Sequence, residues 1–243
     1  MRMLTFAKRN FKEIVRDPLN LSFLFGFPIV LLLLLSAIQA NIPVSMFEIE
    51  HLSPGVAVFG LAFLTLFSAT LIAKDRQSSF MHRLYTTPMS SADFILGYTL
   101  PLVPIALIEG LVAYIFAIIL GLEINAYILL SVVFMIPVAL LYIGIGLLCG
   151  SVLNDKQVGG ICGALLTNLS AWLSGIWFDL DLVGGTFKKV AYALPFVHCV
   201  DMQRAIISGD LMGIFPHLFW VLGYAIAAIA VAVFLFLRQM KRQ

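Results

Sequence analysis

Glu109 is the one carboxylate in this 243-residue sequence that stands deep inside a long apolar run, about 15 residues from its start. A charge buried at mid-membrane depth costs roughly 3 kcal/mol or more, so such a group faces protein or water. Two readings follow. Glu109 faces a cavity, where it attracts a cation or takes up a proton, or it is a protonated or paired group packed against a neighbouring helix. The other groups with chemical potential are dispersed. His51, His82, His198 and His217 are scattered through polar stretches, and a lone His51 in an outer loop does not make a metal site. Cys149, Cys162 and Cys199 form neither a disulfide framework nor a metal spacing. No Ser-His-Asp grouping, HExxH or CxxC appears, and no GxxxxGK[ST] phosphate loop occurs, so the chain does not bind ATP in the usual way.

The elements that would position Glu109 are long and apolar. The sequence is 61% hydrophobic and 12% charged, against about 25% charged in soluble domains. A helical span needs about 20 mostly apolar residues. Six such runs are present, at 19–39, 54–73, 94–120, 126–153, 158–178 and 216–237. The expected fold is therefore an all-α integral membrane domain with six transmembrane helices, in one unit over 1–243. Continuous runs exclude a transmembrane β-barrel, whose segments alternate. With both termini inside, 12 of the 15 Lys and Arg fall on the cytoplasmic side, and only Lys188, Lys189 and Arg204 lie outside. This places the chain in the cell membrane with cytoplasmic termini. The basic inner rim is that of any membrane protein and does not point to nucleic acid. The charged, amphipathic start is not that of a cleavable signal peptide.

Residues 1–17 read as an amphipathic helix in the headgroup plane, with Met3, Leu4, Ala7, Phe11, Ile14 and Val15 on one side. Asp17-Pro18 turns it sharply into the first span, an elbow. Pro28 kinks that span, and Pro101 and Pro104 bend the third. Gly146 and Gly150 on the fourth run, and Gly159 and Gly163 on the fifth, are each four apart. That spacing lets helices approach closely.

Between the second and third spans lies a polar island, 74–97. Phe80, Met81, Leu84 and Tyr85 share one helical face, with Ser79, His82, Arg83 and Thr86 on the other. Ser78 or Ser79 caps this short helix, Pro88 ends it, and Ser90 to Asp93 reads as a capping box opening the next. A basic, two-faced helix at the inner surface suits docking onto a soluble partner. Here the sequence resembles the permease subunits of the ABC-2 type ATP-binding cassette transporters. Their corresponding loop carries an acidic-basic start, an Arg-Leu pair, a Thr-Pro pair and a Gly in the following helix. This chain has Asp75-Arg76, Arg83-Leu84, Thr87-Pro88 and Gly97 in that order.

The segment 179–215 is too polar for a full span, and it carries Leu194-Pro195, Asp201, Arg204 and Gly209. It too resembles the ABC-2 permeases, whose last outer segment has a Leu-Pro, an acidic residue, an Arg and a Gly. The resemblance implies short helices that re-enter the outer leaflet and cap the pathway. Physically, Asp201 and Arg204 are three apart and can pair, as a clamp or as a gate. Trp177, Tyr192, Phe196 and Trp220 suit the outer interface.

The resemblance implies a permease subunit that is not itself an enzyme and has no cofactor of its own. Separate ABC ATPase subunits would bind ATP and Mg and grip the coupling loop 74–93 through Asp75, Arg76, Phe80, Met81, Arg83, Leu84, Thr87 and Pro88. A second permease copy or a paralogue would complete the path. Short outer loops suit export of a drug or antimicrobial peptide, hence multidrug resistance, with lipid or polysaccharide export as the alternative. The reading from another class is an ATPase-independent secondary transporter, weakened by the lack of an inverted repeat.

Overall fold

The structure is a computed structural model and describes residues 2–42, 45–78 and 90–240. The described residues are helical throughout, with no strand among them. Helix α1, Arg2–Val15, turns at Asp17 into α2, Pro18–Asn41. The corner is built locally: Asp17 accepts from the Asn20 backbone N–H at 3.1 Å and side-chain amide at 2.7 Å, and Pro18 opens the helix. A 3₁₀ turn at Ser45–Phe47 leads into α3, Ile49–Leu61, and α4, Phe63–Gln77. These two abut at Ala62, whose φ of −60° and ψ of −27° keep the backbone helical, so the pair forms one span.

Helices α5, Ser91–Thr99, and α6, Leu102–Ile119, form the next span, interrupted at Leu100-Pro101. Then come α7, Ala126–Val152, and the last long helix, α13, Ile214–Met240. Among the described residues, five helices are thus long and apolar enough to cross a membrane. The fifth apolar run of the sequence is helical but not one regular helix. It is built as α8, Asp155–Val158, a π-helical segment Gly159–Leu166, and α9, Thr167–Leu173. Thr167 follows the wider winding by donating its hydroxyl to the Cys162 carbonyl, five residues back, at 3.0 Å. Three short helices precede α13 on the face opposite the termini: α10, Leu180–Val183; α11, Gly185–Ala193; and α12, Pro195–Ile207.

The span Ile49–Gln77 is the centre of the bundle, with 83% of its most apolar stretch buried, against 17% for Ile214–Arg238. It packs along α7 through small and hydroxylated residues. A Cβ on Gly146 would lie 1.8 Å from Ser68 Oγ and 2.5 Å from the Thr65 carbonyl oxygen, and one on Gly150 would lie 2.7 Å from the Ala69 carbonyl oxygen. Thr65 donates its hydroxyl to the Tyr142 carbonyl at 3.0 Å, a hydrogen bond between spans. The fifth run differs from the expectation of close packing through its glycines. Among the described residues nothing lies within 4 Å of a Cβ on Gly159, and one on Gly163 would make only ordinary contact with Leu66 at 3.4 Å. The partner of Gly146 and Gly150 is the second span.

Replacing Gly146 by Ala drives a methyl into the Thr65 backbone, and overpacking of this kind costs about 1–3 kcal/mol. Gly159→Ala meets open space. Thermal unfolding of the purified chain should therefore show a lowered midpoint for Gly146→Ala and little change for Gly159→Ala. Equal effects would contradict the packing described.

Candidate functional site

The two ends of the polar island are fixed, and one buried carboxylate fixes them. Asp75 sits near the C-terminal end of α4 and is 2% exposed. Its two oxygens take a bidentate pair from Arg9 of α1, at 2.6 and 2.8 Å, and the Tyr98 hydroxyl of α5 donates to Oδ2 at 2.7 Å. Burial opposes the charge on Arg9, but the hydrogen bond and charge of Asp75 outweigh it and raise the guanidinium's pKa. Arg9 also pairs with Glu13 at 2.8 Å, one turn along α1.

The neighbours of this pair are shaped for it. Asn10 is fully buried and donates its amide to the Gly97 carbonyl at 3.0 Å. Gly97 has no room for a side chain, because a Cβ there would lie 2.2 Å from the Phe6 ring. Phe6 meets the edge of Tyr98 at 5.0 Å and stacks on Phe94 at 5.8 Å. Helix α1 therefore docks on α5 through Phe6 and Asn10. Among the side chains expected to face lipid, Leu4, Phe11 and Val15 are exposed, whereas Ala7 and Ile14 are buried within the protein. This corrects the single apolar face read from the sequence.

Arg76, next to Asp75, points to a different helix. It donates to the Gly150 carbonyl at 2.8 Å and the Leu153 carbonyl at 3.4 Å, capping the inner end of α7. On the near side of the island the Ser78 hydroxyl donates to the Asp75 carbonyl at 2.9 Å. On the far side Ser90 and Asp93 form the expected capping box, with bonds of 3.0 and 3.1 Å. Asp75 and Arg76 are thus engaged inside the chain. Phe80, Met81, Arg83, Leu84, Thr87 and Pro88 lie outside the described residues. Through these contacts α1 and three spans meet where the island leaves and re-enters the bundle.

Glu109 belongs to neither end. It is 1% exposed and wedged among spans one, two and three; a Cβ on Gly60 would lie 1.9 Å from its Oε1 and 2.9 Å from Pro28. Neither carboxyl oxygen has a hydrogen-bond partner among the described residues.

At the end opposite the termini, Pro195 opens α12, and Asp201 and Arg204 lie on that helix. Their pair is made at 3.8 Å, the limit of an ion pair, and the shorter bonds of Arg204 go elsewhere. It donates to the Gly175 carbonyl at 3.1 Å and the His51 carbonyl at 3.3 Å, tying α12 to the turn after α9 and to the first turn of the second span. The histidines are not all isolated, as the sequence suggested. His198 Nε2 donates to the Tyr192 carbonyl at 3.0 Å, so its Nδ1 accepts from His217 Nδ1–H at 2.8 Å, and its ring stacks on Trp220 at 4.9 Å. Burial is the largest influence on His198, and His217 adds to it. Together they lower its pKa against the opposing pull of the Tyr192 carbonyl and Asp201. Among the described residues no group of three metal-ligating side chains occurs.

The sequence matches the family described as ABC-2 type transporter over residues 1–208. The match covers the docked N-terminal helix, both ends of the polar island and the segment with Asp201 and Arg204. The chain belongs to the ABC-2 type transporter family, as a membrane permease component. No curated protein matches the sequence.

Two tests follow from the geometry. Asp75→Ala leaves Arg9 and the Tyr98 hydroxyl without their shared acceptor. Since Arg9 retains some solvent, the cost should be roughly 2 kcal/mol, read as earlier proteolysis of α1 and a lower thermal midpoint. Protonating His198 would set two N–H groups against each other. Its pKa in the fold lies below the ordinary 6.5, so the unfolded chain takes the proton first. Stability should be complete above about pH 6.5 and fall as pH drops toward the folded value; His198→Gln should flatten that slope in a pH series of melting curves.

Proposed function

We propose that the chain is a permease subunit of an ATP-driven exporter, working as one of two permeases gripped by two ATPase subunits. The observation that carries the reading is the double anchoring of the polar island, by Asp75 with Arg9 and Tyr98 and by Arg76 on the end of α7. An external push on residues 79–89 would be delivered to α1 and three spans together. Helix α1 serves as the elbow, and Phe80, Met81, Arg83, Leu84, Thr87 and Pro88 form the coupling surface. ATP and Mg would be held by the partner, since the sequence has no phosphate loop.

The helical run 155–173 supplies the fifth of six crossings in this reading, with both termini cytoplasmic and α10 to α12 outside. The placement of Lys and Arg supports that orientation. Cargo passes between the two permeases when their packing switches. Short outer connections favour a drug or antimicrobial peptide over a polysaccharide or lipid. A secondary transporter is disfavoured because the ionisable groups inside the bundle are few.

The test is co-purification with an ABC ATPase encoded beside this chain. Arg83→Glu with Leu84→Asp should reduce the ATPase recovered by about tenfold, equivalent to about 1.4 kcal/mol, while the permease stays monodisperse. Undiminished recovery would remove the coupling role from this loop.

A further inference from the structure

On the face opposite the termini, a cleft of about 730 Å³ opens between the loop before the second span, the turn after α9 and helix α12. That volume falls in the range of sites for drug-sized ligands, about 300–1,000 Å³. Its walls combine two kinds of residue. Trp177, Phe178 and Tyr192 supply aromatic surface, and Glu48, Asp179 and Asp201 supply carboxylates. Among the described residues, neither Glu48 nor Asp179 forms an ion pair. Glu48 stands at the start of α3 without making a side-chain cap, and Asp179 spends one oxygen on the Asp181 backbone N–H at 2.9 Å.

Arg204 also lines the cleft; its Nε and Nη2 donate to the carbonyls of His51 and Gly175, bracing the walls, and its Nη1 stands 3.8 Å from Asp201. A fourth lining carboxylate, Asp181, is already paired with Lys188, whose ammonium also stands 5.7 Å from the centre of the Tyr192 ring.

We propose that this outer cleft binds organic cations with an aromatic or aliphatic body, the carboxylates of Glu48 and Asp179 taking the charge and Trp177 and Phe178 the apolar part. As the exit station of a cargo it rests on the exporter reading; as a binding site it does not. It narrows that reading to cationic amphiphiles. Pairing of carboxylates with aromatic faces favours a cation that has shed part of its hydration, and repels an anion of the same shape.

The test uses the full chain in phosphatidylcholine nanodiscs, with tetraphenylphosphonium as probe and tetraphenylborate as its anionic counterpart of the same shape. Binding is followed by quenching of tryptophan fluorescence and corrected by empty nanodiscs. The phosphonium should bind saturably and at least about tenfold more tightly than the borate. Glu48→Gln with Asp179→Asn should weaken it by about tenfold, while Asp179→Glu, which keeps the charge, should not. Equal binding of the two probes, or an unchanged affinity in the double variant, overturns the site. Retention of the ATPase by the double variant shows that the subunit is intact. If the wild-type chain holds no ATPase, the exporter reading falls while the phosphonium result still decides the cleft.

Discussion

A charged carboxylate removed from water is stabilised by a cation and by hydrogen bonds, and at Asp75 these partners organise the end of the molecule that carries the N-terminal helix. Leaving such a group unpaired costs several kcal/mol, whereas a bidentate guanidinium and a phenol hydroxyl satisfy its lone pairs in one geometry. Because the three partners come from α1, α4 and α5, their placement is settled together. The small residue at Gly97 and the buried amide of Asn10 then follow as conditions for the approach of α1. A buried ion pair of this sort adds little net stability, and its contribution here is to fix one arrangement among several apolar ones.

The same accounting separates the other ionisable groups by depth. Arg204, near the outer end, is satisfied chiefly by two backbone carbonyls and only loosely by Asp201. Glu109, in the middle, has no partner at all among the described residues and is accommodated by the missing side chain of Gly60. The first two groups hold helices in position through bonds, and the third through shape.

What the sequence made legible was local or periodic. Apolar run length located the five long helices, the Asp17-Pro18 pair announced the corner, and Ser90 with Asp93 announced the capping box. Contacts far apart in sequence had no such signal. Nothing in the order of residues says that Arg9 meets Asp75, or that His198 meets His217, and a carbonyl acceptor such as that of His51 is the same at every position. The spacing of Gly146 and Gly150 indicated close packing but not its partner, because the second and fifth runs are equally apolar. The 158–178 run was recognisable as helical, yet its π winding depends on how Thr167 and Cys162 sit against their surroundings.

The second span connects these observations mechanically. Its C-terminal end carries Asp75 and Arg76, and it begins at the turn whose His51 carbonyl is held by Arg204. Along its length it presses against α7 at Gly146 and Gly150, where backbones touch and side chains have no slack. A helix held at both ends and along one side does not absorb a displacement by bending freely. The one interruption, at Ala62, keeps helical dihedrals and so conserves the direction of the axis. The second span thus links the residues where the polar island leaves the bundle to the turn whose His51 carbonyl is held from α12 by Arg204.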